Sequence, residues 1–136
     1  MKYNGIIQRK LALLDDQVQR LRVYTRGKTA EDMAADWVMR SACERALQVC
    51  AEIMIDIAER IIAQRGAGPV ASAVLALEKL LTLGVIADVE PYRSIVRLRN
   101  LIVHEYEEID PGLLHEMVSR RLDDILRSRD EIDRAG

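Results

Sequence analysis

The chain has 136 residues, 49% of them hydrophobic and 31% charged, a balance that fits one globular domain over 1–136 and excludes a disordered or membrane-embedded chain. Twenty basic residues against 22 acidic ones leave a net charge of −2, so any grip on nucleic acid has to come from a local basic patch, not a polycationic coat. No apolar run is long enough to span a bilayer, and Met1-Lys2-Tyr3-Asn4-Gly5 lacks the features of a secretory signal, so a cytoplasmic protein without membrane contact is expected.

Five helical segments can be read in chain order, and nothing of comparable length alternates with the period of a strand. In the first, Ile7, Leu11, Leu14, Val18 and Leu21 recur at steps of four and three and form one apolar stripe; Gly27 is placed to close it. Thr29, followed by Glu31 and Asp32, starts the second, and no breaker follows until Gly66. This long segment is the expected central helix, with Ala46, Leu47, Cys50, Met54, Ile57, Ala58 and Ile61 turned inward. Arg45, Gln48, Glu52 and Asp56 gather on another face, either as a solvated surface or as a polar stripe supporting a site.

Gly66-Ala67-Gly68-Pro69 is the clearest loop, after which a third helix runs from about Val70 to Leu83 and stops at Gly84. Asp88 and Pro91 introduce a fourth through Ile95, Leu98 and Leu101. Asp110-Pro111 starts a fifth, with Asp as cap and Pro where its missing N–H costs nothing; its apolar positions are Leu114, Val118, Leu122 and Ile125. The expected fold class is all-α: an antiparallel bundle of about five helices with short connections. Phe is absent and there is one Trp, so the core is built mainly from aliphatic residues, and aromatic stacking of bases is not the obvious binding mode.

Cys43 and Cys50 are the only cysteines. On one helix their spacing separates them axially by about 10 Å at ~1.5 Å per residue, beyond disulfide reach. A zinc site would have to combine them with His104 and His115 from other segments, so they read as small core residues, and neither a metal nor a cofactor is expected.

The segment that carries chemistry is Arg93-Ser94-Ile95-Val96-Arg97-Leu98-Arg99-Asn100-Leu101-Ile102-Val103-His104-Glu105-Tyr106. Its arginines make the local basic patch that the net charge requires, and a guanidinium fork matches phosphate oxygens bidentately. Imidazole can accept and give a proton near neutrality. Together they suffice for metal-independent cleavage of an RNA phosphodiester: His104 draws the proton from a 2′-hydroxyl while Arg99 offsets charge on the phosphorus oxygens. The same residues also have ordinary uses, His104 as a helix C-terminal cap and Tyr106 as a half-buried aromatic with a wet hydroxyl.

At about 100° per residue, Arg99 and His104 stand roughly 140° apart around an unbroken helix, so one straight helix does not aim both at one phosphate. Either the helix unwinds near His104, or a second copy completes the cleft across a two-fold axis and supplies a separate general base and general acid.

The string Arg99-x4-His104-x-Tyr106, with Asn100 directly after the arginine, resembles the signature of the HEPN superfamily, specifically its HepT-like branch. Glu44-Arg45-Ala46-Leu47-Gln48 through Asp56-Ile57-Ala58 resembles that branch's central helix, and Gly84-Val85-Ile86 before the fourth helix has its spacing. The resemblance implies a homodimeric bundle in which Arg99 and His104 of both copies face one cleft that cuts RNA, with Arg97, Asn100 and Tyr106 against the substrate. It also implies a partner, an MNT-type nucleotidyltransferase antitoxin that transfers AMP to Tyr106 and silences the toxin. Added phosphate charge beside Arg99 and His104 would occupy the patch and repel an RNA phosphate. The alternative is a non-catalytic helical module that binds nucleotide or substrate for the transferase.

Overall fold

The computed structural model describes residues 5–104 and 109–136, the side chains of Val103 and His104 excepted. Within them lie α1 (Gly5–Thr25), α2 (Ala30–Ala35), α3 (Trp37–Gln64), α4 (Ala73–Thr82), α5 (Glu90–His104), α6 (Pro111–Glu116), a π-helical stretch (Met117–Arg121) and α7 (Leu122–Arg134), with no strand. All five expected segments are present, two of them subdivided. No helix among the described residues is long and apolar enough to cross a membrane.

The α1 stripe of Ile7, Leu11, Leu14, Val18 and Leu21 is buried as its spacing predicts. Gly27, at φ +73°, then turns the chain. Thr29 caps α2 reciprocally with Asp32: the Thr29 hydroxyl accepts from the Asp32 amide at 3.1 Å, and the Asp32 carboxylate accepts from the Thr29 amide at 2.9 Å. These hydrogen bonds hold the Asp32 carboxyl below its ordinary pKa.

The expected second helix is in fact two. Asp36 leaves helical geometry at φ −126° and ψ 98° and caps α3, its Oδ1 accepting from the amides of Val38 at 3.0 Å and Met39 at 3.1 Å. Arg40 reaches back to the Met33 and Ala34 carbonyls, satisfying acceptors that the broken helix leaves open. The third helix starts at Ala73, later than Val70, because Ser72 is the residue that caps it.

The 28-residue α3 is the central rod, and α1, α2, α4, α5 and α6 all pack against it. Cys43 and Cys50 lie in its buried face, where burial pushes their thiols up to about 11 and about 12. They are packed, not reactive, in keeping with the reading as core residues. Around the other side, α7 runs antiparallel to α1: Asp15 meets Arg129, and seven residues further along α1, Arg22 meets Asp123.

The last expected helix starts at Asp110, whose side chain accepts from the Leu113 amide at 3.0 Å, with Pro111 in the first turn. Its interior widens into the π-helical stretch before α7 resumes the ordinary pitch. Leu114, Val118, Leu122 and Ile125 are all buried, so the predicted inward positions hold across the irregular turn.

Candidate active site

α5 carries the arginine-rich segment, and its start is moored to α7. Asp88 Oδ1 accepts from the Glu90 amide, and the buried Tyr92 donates its hydroxyl to the Ser128 carbonyl at 3.1 Å, with the Glu131 carboxylate at 3.4 Å. Glu131 also accepts from the Ala87 amide. Tyr92, Ile95, Val96 and Leu98 then bury the inner face of the helix. These contacts fix the rotation of α5 about its own axis, and so the directions in which its arginines leave it.

Arg99 leaves toward α3. Its side chain is 21% exposed, and Nε stands 3.8 Å from Glu52 Oε1, close enough for charge attraction and too long for a hydrogen bond. Nε is itself buried and has no hydrogen-bond partner among the described residues. A buried donor left unmade costs about 1–3 kcal/mol, so this guanidinium is set in place by packing and charge, with donor capacity unused. Glu52 belongs to the polar stripe read on the central helix, and the structure divides that stripe. Glu52 faces the site; Asp56 instead pairs with Lys10 of α1 at 2.5 Å and with Arg60 at 3.2 Å. Burial works to raise the Asp56 pKa, but its hydrogen bonds to Lys10 and Arg60 and their charges hold it below the ordinary value. Arg45 is exposed and Gln48 half-buried.

Arg97 and Asn100 are exposed on another side of α5. Arg97 lines a groove of about 200 Å³ between α5 and the α6–π segment, with Leu101, Glu116 and Arg121 among its walls. Arg93, nearer the helix start, pairs with Glu90 at 3.3 Å.

α5 stays helical as far as His104, so unwinding before that residue does not reconcile Arg99 with His104. The register, about 100° per residue, keeps the position of His104 in line with Arg97 and Asn100 and away from Arg99. The side chain of His104 and the whole of Tyr106 lie outside the described residues, so the contacts expected of them do too. His115, the other histidine, is not part of this cluster: its Nε2 donates to the Lys28 carbonyl at 2.9 Å and ties the α1–α2 turn to α6. Among the described residues, no group of three or more His, Cys, Asp and Glu side chains is arranged to hold a metal ion.

The arrangement supplies cations for a phosphate on two sides of one helix. Two residues of this neighbourhood were not singled out in the sequence. Glu52 appeared only as one of four polar residues at helical spacing, and Arg121 not at all; spacing along one helix does not name the surface a residue faces.

Residues 14–132 match the family model described as Ribonuclease HepT-like. A curated relative, the mRNA nuclease HepT of Shewanella oneidensis, is 29% identical over 127 residues, covering 89% of this chain and 91% of the relative. The fold is similar to that of the tri-AMPylated Shewanella oneidensis HEPN toxin in complex with MNT antitoxin, with TM-score 0.86, 26% identity, and 97% and 99% of the two chains covered. It is likewise similar to a chain of a toxin–antitoxin crystal structure with AMP-PNP, with TM-score 0.87, 25% identity, and 96% and 99% covered. The match of nearly the whole chain, together with the Arg99-x4-His104-x-Tyr106 string in its sequence, shows that this chain belongs to the HepT-like ribonuclease family.

Proposed function

We propose that this chain is the toxin of a toxin–antitoxin pair, a metal-independent endoribonuclease folded as one domain over 1–136 that works in the cytoplasm as a homodimer. The observation that carries the reading is the Arg99 guanidinium, held against Glu52 with a buried Nε that no described residue satisfies. The side chain is nonetheless 21% exposed, and the accessible donors of the guanidinium are the ones a phosphorane oxygen would take. Because Arg99 and His104 diverge on one continuous helix, the cleft is completed by a second copy. One His104 takes the proton of the 2′-hydroxyl as its oxygen attacks phosphorus; the other protonates the 5′-oxygen as the P–O5′ bond breaks. Arg97 and Asn100 seat the scissile phosphate.

The antitoxin is an MNT-type nucleotidyltransferase. It transfers AMP from ATP to the Tyr106 hydroxyl with release of pyrophosphate, and the added negative charge blocks the site. The complexes formed by the structural relatives support this pairing. The test is RNA cleavage by His104→Ala in the presence of chelator. Wild-type protein is expected to cut and the variant to be inactive with an unchanged melting temperature; undiminished cleavage by the variant would overturn the assignment. A mass increase of one or more AMP units on Tyr106 after coexpression with the transferase would establish the modification.

A further inference from the structure

Away from the α5 site, the surface between the end of α1 and the α6–π segment is a cleft of about 440 Å³. Its walls include Arg22, Arg26, Lys28, His115 and Ser119. A second recess of about 500 Å³, lined by His115, Glu116, Ser119 and Arg120, adjoins it. Glu116 in turn also borders the groove in which Arg97 and Arg121 lie. The three recesses therefore lie side by side from α5, over the π-helical stretch, to the end of α1, with Glu116 between the first two and His115 and Ser119 between the last two.

Among the described residues, cations outnumber carboxylates along this path. Glu116 is engaged by Arg121 at 3.8 Å, and Asp123, beside the path, by Arg22. Arg26, Lys28, Arg97 and Arg120 are exposed and make no ion pair with a described residue. The negative end of the α1 dipole accounts for cations near Thr25, and Glu116 and Asp124 for Arg121, but neither accounts for Arg120 in the middle of a helical rod. Arg120 and Arg121 belong to the π-helical stretch, a rare geometry that recurs at functional sites. Here it presents Ser119, Arg120 and Arg121 as three consecutive exposed residues.

We propose that this path is a second, non-catalytic binding track for the phosphate backbone of single-stranded RNA, taking the strand from the α5 site across Arg120 to Arg26 and Lys28. An acidic protein could also meet these charges. RNA is favoured because the cations line a row of adjoining recesses that begins at Arg97, and a positively charged groove that follows a strand is how single-stranded nucleic acid is held without sequence readout. The proposal rests on the ribonuclease reading for its ligand class.

The test compares wild type with the triple variant Arg26→Gln, Lys28→Gln, Arg120→Gln. Equilibrium binding of a 2′-O-methyl 30-mer, which cannot be cleaved, is measured across salt concentrations, and cleavage of an unmodified 30-mer and a trinucleotide is followed. Losing three phosphate contacts should flatten the slope of log K against log[salt] by about two, at about 0.7 per contact for a single strand. KM for the 30-mer should rise about tenfold or more at constant kcat, while the trinucleotide is cut as by wild type and the melting temperature is unchanged. An unchanged salt slope and KM would overturn the track alone and leave the nuclease intact. So would a variant that differs only in binding the nucleotidyltransferase. A wild-type protein that cuts neither RNA would overturn the ribonuclease reading and the track together.

Discussion

Arg99 and Arg129 are equally exposed, 21% each, yet the protein treats them in opposite ways. Arg129, on α7, donates Nε to both oxygens of Asp15 at 3.0 and 3.1 Å and Nη1 to Asp133 at 3.0 Å. Burial opposes its charge, but Asp15 and Asp133 outweigh that and push its pKa up. It is a clamp between α7 and α1. Among the described residues, Arg99 has one carboxylate at 3.8 Å and an Nε without a partner. A guanidinium that stabilises a fold spends its donors on the fold; one kept for a ligand holds them back.

Substituting both arginines by Met separates the two uses. Arg99→Met is expected to lower RNA cleavage about 100- to 1000-fold, the usual loss when one electrostatic stabiliser of a transition state is removed. Its melting temperature should hold or rise, because a buried unmade donor is deleted and the 49%-exposed Glu52 can turn to water. Arg129→Met should do the reverse: about 1–2 kcal/mol less stable in urea denaturation, with kcat unchanged. If both variants lose stability equally, the contrast between the two arginines is wrong.

Tyr92→Phe probes the mooring of α5. Losing its hydroxyl contact to Ser128 should cost about 1 kcal/mol, read in the same denaturation experiment, and should lower kcat more than it raises KM if the rotation of α5 sets the aim of Arg99. The smallest effect belongs to Asp56→Asn, a few tenths of a kcal/mol for a pair this exposed. Because the folded-state pKa of Asp56 is depressed, its contribution is present above the ordinary carboxylate range near pH 4 and is lost as pH falls through the lower folded value. Wild type and variant should therefore differ at neutral pH and converge in acid.

Much of this fold is written in local chemistry. The α1 stripe, the Thr29 cap, the glycines at 27, 66 and 84 and Asp110-Pro111 each act within a turn or two of themselves, and each is where its sequence says. The break at Asp36 is not legible, because an aspartate there is equally a surface residue of a continuous helix; what favours the break includes Arg40 reaching the carbonyls of α2. The π-helical stretch is hidden for a related reason: apolar steps of four, four and three suit either pitch. At the site, Arg97 and Arg99 stand out from their string, whereas the approach of Glu52 depends on how α3 and α5 cross, a tertiary fact that spacing along one helix does not contain.

The wide turn at Met117–Arg121 also sets a phase relation. Hydrogen bonding one residue further along inserts about one residue relative to an ordinary helix, so α6 and α7 are two segments of the same rod offset by that increment. A relative without the insertion must be one residue shorter between Leu114 and Leu122, or else rotate α7 so that Ile125, Ser128 and Ile132 leave the interior they now fill. Length variation by a single residue at that point is therefore the alteration this architecture can absorb without repacking, whereas the same change within α3 would shift the phase of every helix packed against it.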